Sequence, residues 1–132
     1  MPKGIWGDQI IIPGLLAGAD LSAKQWHCVK FASTANEVIS AIQTSDAVIG
    51  ILQNDPADGE TANVCVLGVS RAIAGTSLIT VGEFLGANSS GVYDTSGGTA
   101  AAEYYVGRAL EAAGATGDFI TILVSPGAWH RS

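Results

Sequence analysis

Residues 50–69 read GILQNDPADGETANVCVLGV. Two short apolar runs, residues 48–52 and 64–69, flank a cluster of Asn, Asp, Pro and Gly. The residues of this cluster supply preset φ angles, side-chain bonds to the backbone and positive φ, all of which a reversing chain needs. The flanking runs are too short for helices and are rich in β-branched residues, which suit a pleated surface. The stretch therefore predicts a β-hairpin with a polar tip.

A second stretch repeats this pattern near the C-terminus. Residues 105–124 read YVGRALEAAGATGDFITILV and align with residues 49–67 when one residue is inserted in the turn. Gly50 then falls on Gly107, and Gly59 falls on Gly117. Internal similarity of this kind indicates two copies of one supersecondary unit that pair or pack together. We expect related hairpins at residues 49–67 and 106–124 in one sheet system.

Short strands separated by turn signals continue through most of the chain. The signals recur about every 8 to 12 residues, which is typical of an all-β sandwich or barrel. One segment is ambiguous, because residues 99–113 are Ala-rich and have helix propensity. Their similarity to residues 49–53 and the cluster Tyr104-Tyr105-Val106 favour a strand instead. The sequence predicts a mainly β, compact single domain over residues 25–132, either a β-sandwich or a barrel-like body.

Residues 1–24 form an irregular segment without a period of their own. Bulky apolar side chains alternate there with glycines and with Pro13. Such a segment is an arm that docks on a partner or, equally well, an ordered lid over its own domain. We expect the large apolar residues of the arm, together with one tryptophan of the C-terminal tail, to contact a partner surface or a neighbouring subunit: Ile5, Trp6, Ile10, Ile11, Ile12, Leu15 and Trp129.

The composition favours burial of surface between subunits or against a large partner. Charged residues make up 14% of the 132 residues, 48% are hydrophobic, and the mean hydropathy is +0.34; about 25% charged residues is usual. The net charge of −6 and six scattered Lys and Arg give nothing that tracks a phosphate backbone, which argues against nucleic-acid binding. The apolar run 10–19 is short and interrupted by Pro and Gly, so we expect no membrane span and no signal peptide.

A catalytic or metal-binding motif is not recognisable in the sequence, so we expect neither an enzyme nor a cofactor. Asp55, Asp58 and Glu60 cluster in one turn, but their spacing is not that of a Ca²⁺ loop, and turn chemistry explains them equally well. Cys28 and Cys65 lie in apolar, strand-like runs. They are either two buried thiols or a mutual disulfide.

The turn-and-strand pattern resembles the small capsid decoration proteins of tailed bacteriophages, also called cement or head-stabilising proteins. The resemblance extends over about residues 45–125 and rests on these segments: 55–60, 64–68, 74–75, 81–82, 106–109 and 117–120. It implies a mostly β body of the β-tulip kind and assembly as a homotrimer at local threefold axes. It also implies an N-terminal arm that touches the shell of major capsid protein, here residues 1–24, and a place on the capsid surface of a virion assembled in the host cytoplasm.

Physical argument and resemblance agree on a structural protein that clamps major capsid protein subunits from outside the head. A clamp needs apolar surface, few mobile charges and a rigid body that symmetry can copy. Two other classes stay open. One is a carbohydrate- or peptide-binding β module on a phage or cell surface, for which exposed Trp or Tyr on one sheet face would be the sign. The other is a small enzyme whose site the sequence does not reveal.

Overall fold

The computed structural model describes residues 9–94 and 102–130. Their secondary structure consists of β-strands, with no helix among the described residues. The prediction of a mainly β fold is confirmed, and so is the prediction of a strand within residues 99–113, at β9. The strands are β1 Gln9–Ile12, β2 Leu16–Ala17, β3 Cys28–Phe31, β4 Glu37–Ser40, β5 Val48–Leu52, β6 Val64–Ile73, β7 Phe84–Asn88, β8 Gly91–Asp94, β9 Ala102–Ala109 and β10 Phe119–His130.

All ten strands belong to one hydrogen-bonded sheet. Its order is β2-β4-β3-β5-β6-β10-β9-β7-β8, and β1 pairs with β6 outside this path. Cys65 pairs with both β1 and β5, while Gly68 pairs with both β1 and β10. A residue paired twice has its two partners on opposite edges. β5 and β10 therefore follow one another along the edge of β6 that faces away from β1.

Two isolated bridges curl the sheet without closing it. Leu16 bridges Thr61, so β2 returns to the segment before β6. Ala74 bridges Val92, so β8 returns to the segment after β6. Each half of the sheet is thus rolled around its own interior, and β6 is common to both halves.

The β5–β6 and β9–β10 hairpins have the same register. Ile51 pairs with Cys65 in the first hairpin, and Arg108 pairs with Leu123 at the matching place in the second. Gly50 precedes Ile51 and Gly107 precedes Arg108, so these two glycines occupy equivalent positions. A Cβ on Gly50 would collide with the Cys65 carbonyl oxygen, and a Cβ on Gly107 would collide with that of Leu123. Close approach of two backbones therefore requires glycine at both positions.

The correspondence extends well beyond the hairpins. β3 pairs with β5 as β7 pairs with β9, and β4 pairs with β3 as β8 pairs with β7. β1 pairs with β6 in the same way that β6 pairs with β10, and both pairings are antiparallel. Residues 9–73, which we name unit 1, therefore match residues 66–94 and 102–130, which we name unit 2. The two units overlap, because β6 ends unit 1 and begins unit 2.

Loop hydrogen bonds follow the same correspondence. The amide of Ala17 donates to the Glu60 carbonyl at 2.8 Å, and the amide of Gly59 donates to Ala17 at 2.9 Å. In unit 2 the amide of Ala74 donates to the Asp118 carbonyl, and the amide of Gly117 donates to Ala74, both at 2.8 Å. Gly59 and Gly117 both have positive φ, of 83° and 96°. The units therefore share turn chemistry as well as strand pairing.

The core contains two clusters of buried residues that reflect the two units. The smaller cluster lies in unit 1, and the larger one joins the interior of unit 2 to one face of unit 1. Seven members of the smaller cluster have a structural counterpart in the larger cluster: Leu15 and Ala72, Ala17 and Ala74, Val29 and Leu85, Val38 and Val92, Leu52 and Ala109, Ala62 and Ile120, Val64 and Ile122.

The described part of the predicted arm is built into the domain. β1 and β2 pair with β6 and β4, and Leu15, Ala17 and Leu21 are buried in the smaller cluster. Residues 9–24 therefore cover the body of the protein, which was one of the two possibilities open from sequence. Residues 1–8 lie outside the described residues.

We predict that Gly50→Ala and Gly107→Ala each lower the free energy of unfolding by about 2 to 4 kcal/mol, because the new methyl group would push two paired strands apart. Denaturant unfolding followed by tryptophan fluorescence measures the change. Gly114→Ala is the control, since a Cβ there meets only the Asp118 carboxylate, at 3.2 Å. Equal stability of all three variants would contradict the requirement for close backbone approach.

Candidate interaction surface

Apolar side chains cover the exposed face of the β6–β10 pair. Ser70 and Ala72 of β6 point into the core, so the alternate residues Val69, Arg71 and Ile73 point outward. Antiparallel pairing brings Leu123 opposite Val69 and Phe119 opposite Ile73. Residues directly opposite each other share a face of the sheet. Leu123 is 39% exposed and Phe119 is 55% exposed, so this face offers large apolar groups to solvent.

The same face continues across β9 and β7. Arg108 lies opposite Leu123 on β9, and Phe84 lies opposite Arg108 on β7. We use the name outer face for the following residues: Val69, Arg71, Ile73, Phe84, Arg108, Phe119 and Leu123. The strands that carry these side chains are hydrogen-bonded to their neighbours, so the surface is presented on a rigid support.

Both arginines of the outer face lie over aromatic rings. The Arg71 guanidinium carbon is 5.6 Å from the Trp26 ring centre and 5.2 Å from that of Phe119. The Arg108 guanidinium carbon is 4.6 Å from the Phe84 ring centre. Arg108 also donates from Nε to the Gly82 carbonyl at 2.9 Å. Stacking and hydrogen bonding restrict these side chains, so they lose less entropy when a partner binds.

The sequence-predicted contact residues whose side chains are described lie in different surroundings. Ile10 is 56% exposed and lines a shallow depression of about 300 Å³ with Gln9, Leu67 and Gly68. Ile11 and Ile12 are half-buried and pack on the two core clusters, and Leu15 is buried at 5% exposure.

The other predicted contacts fall at or beyond the limits of the described structure. Trp129 belongs to β10 by its backbone, and its side chain lies outside the described residues. Ile5 and Trp6 also lie outside the described residues. The proposed partner contacts of the arm and tail therefore stay predictions. Among Ile10, Ile11, Ile12 and Leu15, whose side chains are described, Ile10 is exposed and Leu15 belongs to the core.

The outer face was missed from sequence although its signal was present. Residues 67–73 alternate along β6, but the inward positions are Gly, Ser and Ala while the outward positions are Leu, Val, Arg and Ile. A half-exposed strand usually shows the reverse pattern, with polar residues outward. Large apolar residues on the outward side are therefore the feature that could have indicated this surface.

The polar groups that could support chemistry are occupied in turns. Glu60 accepts from the Ala57 amide at 2.7 Å, and Asp118 accepts from the Gly114 and Ala115 amides at 3.0 and 2.9 Å. Within residues 9–94 and 102–130, no three His, Cys, Asp or Glu residues lie close enough together to hold a metal ion. Over the same ranges, no helix is long and apolar enough to cross a membrane.

Cys28 and Cys65 are free, buried thiols on either side of Ile51. Neighbouring strands are about 4.8 Å apart, so the two cysteines are separated by about 10 Å, whereas a disulfide needs Cα atoms within about 7 Å. The disulfide alternative is therefore wrong for this structure. Burial raises the pKa of the Cys28 thiol to about 12. Burial also raises the pKa of Cys65, and this outweighs the opposite effect of its hydrogen bond to the Leu67 backbone.

Comparison with known proteins adds one match. The sequence model of a family described as phage cement protein matches residues 23–126, which is most of the chain. β1 and β2 precede the matched range. No curated protein matches the chain.

We predict that neither cysteine reacts quickly with a thiol reagent in the folded protein at pH 8, because burial keeps both thiols protonated and shielded. Labelling with Ellman's reagent should release two equivalents of thiolate only after guanidinium unfolding. A Ser89→Cys variant, with its new thiol at an exposed turn position, is the control for reagent activity. Rapid labelling of the native protein, or no labelling after unfolding, would contradict the structure.

Proposed function

The chain belongs to the phage cement protein family, and we propose that it binds the outside of a bacteriophage capsid and clamps neighbouring major capsid protein subunits. The family gives the chain a structural, capsid-associated role in the virion. The clamping action, the contact with major capsid protein and assembly in the host cytoplasm are the parts that we propose. The match over residues 23–126 is the observation that carries this proposal.

The form of the molecule is consistent with a clamp. A cement protein works by adding contact area between shell subunits, so it needs a stiff body more than a reactive pocket. Every described strand is paired, and the exposed outer face carries apolar groups with two restrained arginines. Because a shell repeats the same site many times, modest affinity at each site suffices for high occupancy when the bound copies are linked.

We also propose that the protein acts as a homo-oligomer, with a trimer as the expected form. Its low charge content leaves apolar surface that water does not favour. Apart from the outer face, several large apolar side chains are more than half exposed, among them Ile10, Ile42, Leu78 and Val81. Burial of such groups between identical subunits around a threefold axis would remove them from solvent.

A carbohydrate- or peptide-binding module is less well supported. Such modules usually display an aromatic platform. Tyr93 is 41% exposed, but Trp26, whose ring stacks on Arg71, is half-buried against the core. The alternative receives no support from the family match.

We predict that the purified protein co-sediments with empty heads that lack it and raises the temperature at which those heads open. Deletion of residues 1–8 should weaken head binding without unfolding the body, because Ile5 and Trp6 are removed while all ten strands are kept. Deletion of residues 1–24 should instead destabilise the body, since Leu15, Ala17 and Leu21 leave the core. Failure of the full chain to bind heads would overturn the proposed function.

We predict further that light scattering gives the mass of an oligomer, most simply a trimer, at micromolar concentration. Association should persist when the salt concentration is raised from 0.1 to 1 M, because burial of apolar area is not screened as ion pairs are. A stable monomer in low salt would contradict this part of the proposal.

A further inference from the structure

We propose that the outer face of unit 2 docks the body of the protein on the capsid, and that it recognises an apolar patch on the shell with a carboxylate beside it. This inference rests on the proposed function, because it assigns the head contact to particular residues. It adds a surface of the folded body to the contacts expected from sequence, which are the N-terminal arm and Trp129.

The internal repeat provides the first argument. Cys28, Ile51 and Cys65 pair across β3, β5 and β6 of unit 1, and they are at most 1% exposed. These residues belong to the larger core cluster, whose other members are mostly residues of unit 2. This face of unit 1 is therefore a packing surface that unit 2 covers.

The same face of unit 2 is open at the matching positions, while Thr121, which lies opposite Arg71 on this face, is only 8% exposed. The strand register makes Phe84 equivalent to Cys28 of unit 1. In the same way, Arg108 is equivalent to Ile51, and Leu123 is equivalent to Cys65. Phe84 is half-buried, and Arg108 and Leu123 are exposed. The chain thus has a face that is covered in one unit and open in the other. Since unit 2 retains large apolar groups there, we infer that the cover comes from another protein.

The charged residues of the chain indicate the chemistry of the partner surface that covers this face. The chain has twelve Asp and Glu against six Lys and Arg. Of the four Lys and Arg within the described residues, Arg71 and Arg108 lie on the outer face, and Glu111 lines a shallow depression together with Arg71 and Phe119. The outer face therefore combines apolar groups with half of the described cations of an acidic molecule, and Arg108 is the cation on which the proposed recognition rests. An acidic shell surface would repel most of the protein and attract this face, which would orient the docking.

The stacked arginines suit this role. Guanidinium groups form paired hydrogen bonds with carboxylates, and they tolerate apolar surroundings better than an ammonium group does. Arg71 and Arg108 flank Leu123, since Arg71 lies two residues beyond its partner Val69 and Arg108 lies directly opposite it. An apolar contact at Leu123 and Phe119, with a carboxylate partner near Arg108, is the chemistry that we expect.

Two matched variants test the assignment. Phe119→Asp changes the outer face, whereas Phe31→Asp changes a phenylalanine of β3 away from it; the two side chains are 55% and 56% exposed. Co-sedimentation with empty heads should show binding at least about tenfold weaker for Phe119→Asp and unchanged for Phe31→Asp. Arg108→Glu should also weaken binding and should reduce its dependence on salt. Circular dichroism and thermal unfolding check that each variant is folded.

A measurement on the unmodified chain keeps the test independent of variant folding. Hydroxyl-radical footprinting, read by mass spectrometry, should show Phe119 and Leu123 protected on heads and Phe31 still oxidised. Equal binding by the two Phe variants, or equal oxidation of Phe119 with and without heads, would overturn the assignment while wild-type binding still supports the proposed function. Protection of Phe119 before heads are added would show that a second copy of the chain covers the face, which also overturns it. Absence of wild-type binding would remove the proposed function itself.

Discussion

Pairing of β6 along both of its edges is the constraint on which the rest of the structure depends. β1 lies along one edge, and β5 and β10 follow each other along the opposite edge. Because β6 is ten residues long, it has room for both partners on that edge. The same strand can therefore end one rolled unit and begin the next. A shorter β6 would leave either the first unit or the second without its closing strand.

This shared strand explains why two similar units form one domain with unequal surroundings. Unit 1 presents one face to its own small interior and the other, through Cys28, Ile51 and Cys65, to the interior of unit 2. Unit 2 repeats the strand arrangement, but its equivalent face is open to solvent at Arg108 and Leu123. The outward positions therefore differ in chemistry, and Arg108 stands where unit 1 has Ile51. The two units share their strand pairing, while the burial of each position determines which type of side chain occupies it.

The polar groups of the chain mainly support the backbone. Glu60 and Asp118 bond to amides of their own turns, and Glu111 accepts from the Thr121 amide at 2.7 Å. Asn54 plays the role of Glu111 in unit 1, where its Oδ1 accepts from the Asn63 amide. Carboxylates and amides used in this way fix loops between paired strands and do not converge on a reactive centre. This use of polar groups is consistent with a structural part of a virion, where lasting contact matters more than turnover.

The sequence by itself indicated the mainly β character, the turns and the two hairpins of residues 25–132, but not β1 and β2, which lie in the segment without a period of its own. Residues such as Gly50, Gly107, Gly59 and Gly117 carry local backbone requirements, and a local requirement is readable from a short stretch. The sequence also indicated the apolar, weakly charged surface of a structural protein. It did not determine that the repeat covers the whole domain, because the flanking strands match in pairing partners while their residues differ.

Only the tertiary structure decided which apolar residues stay exposed. Ile51 and Leu123 both read as strand residues suited to a core, yet packing of unit 2 buries the first and leaves the second open. The arm residues show the same limit of sequence-based prediction. Ile10 and Leu15 are both large aliphatic residues, but Ile10 lies on the surface and Leu15 lies in the core. Exposure depends on which elements pack from elsewhere in the chain, and spacing along the sequence carries little information about that.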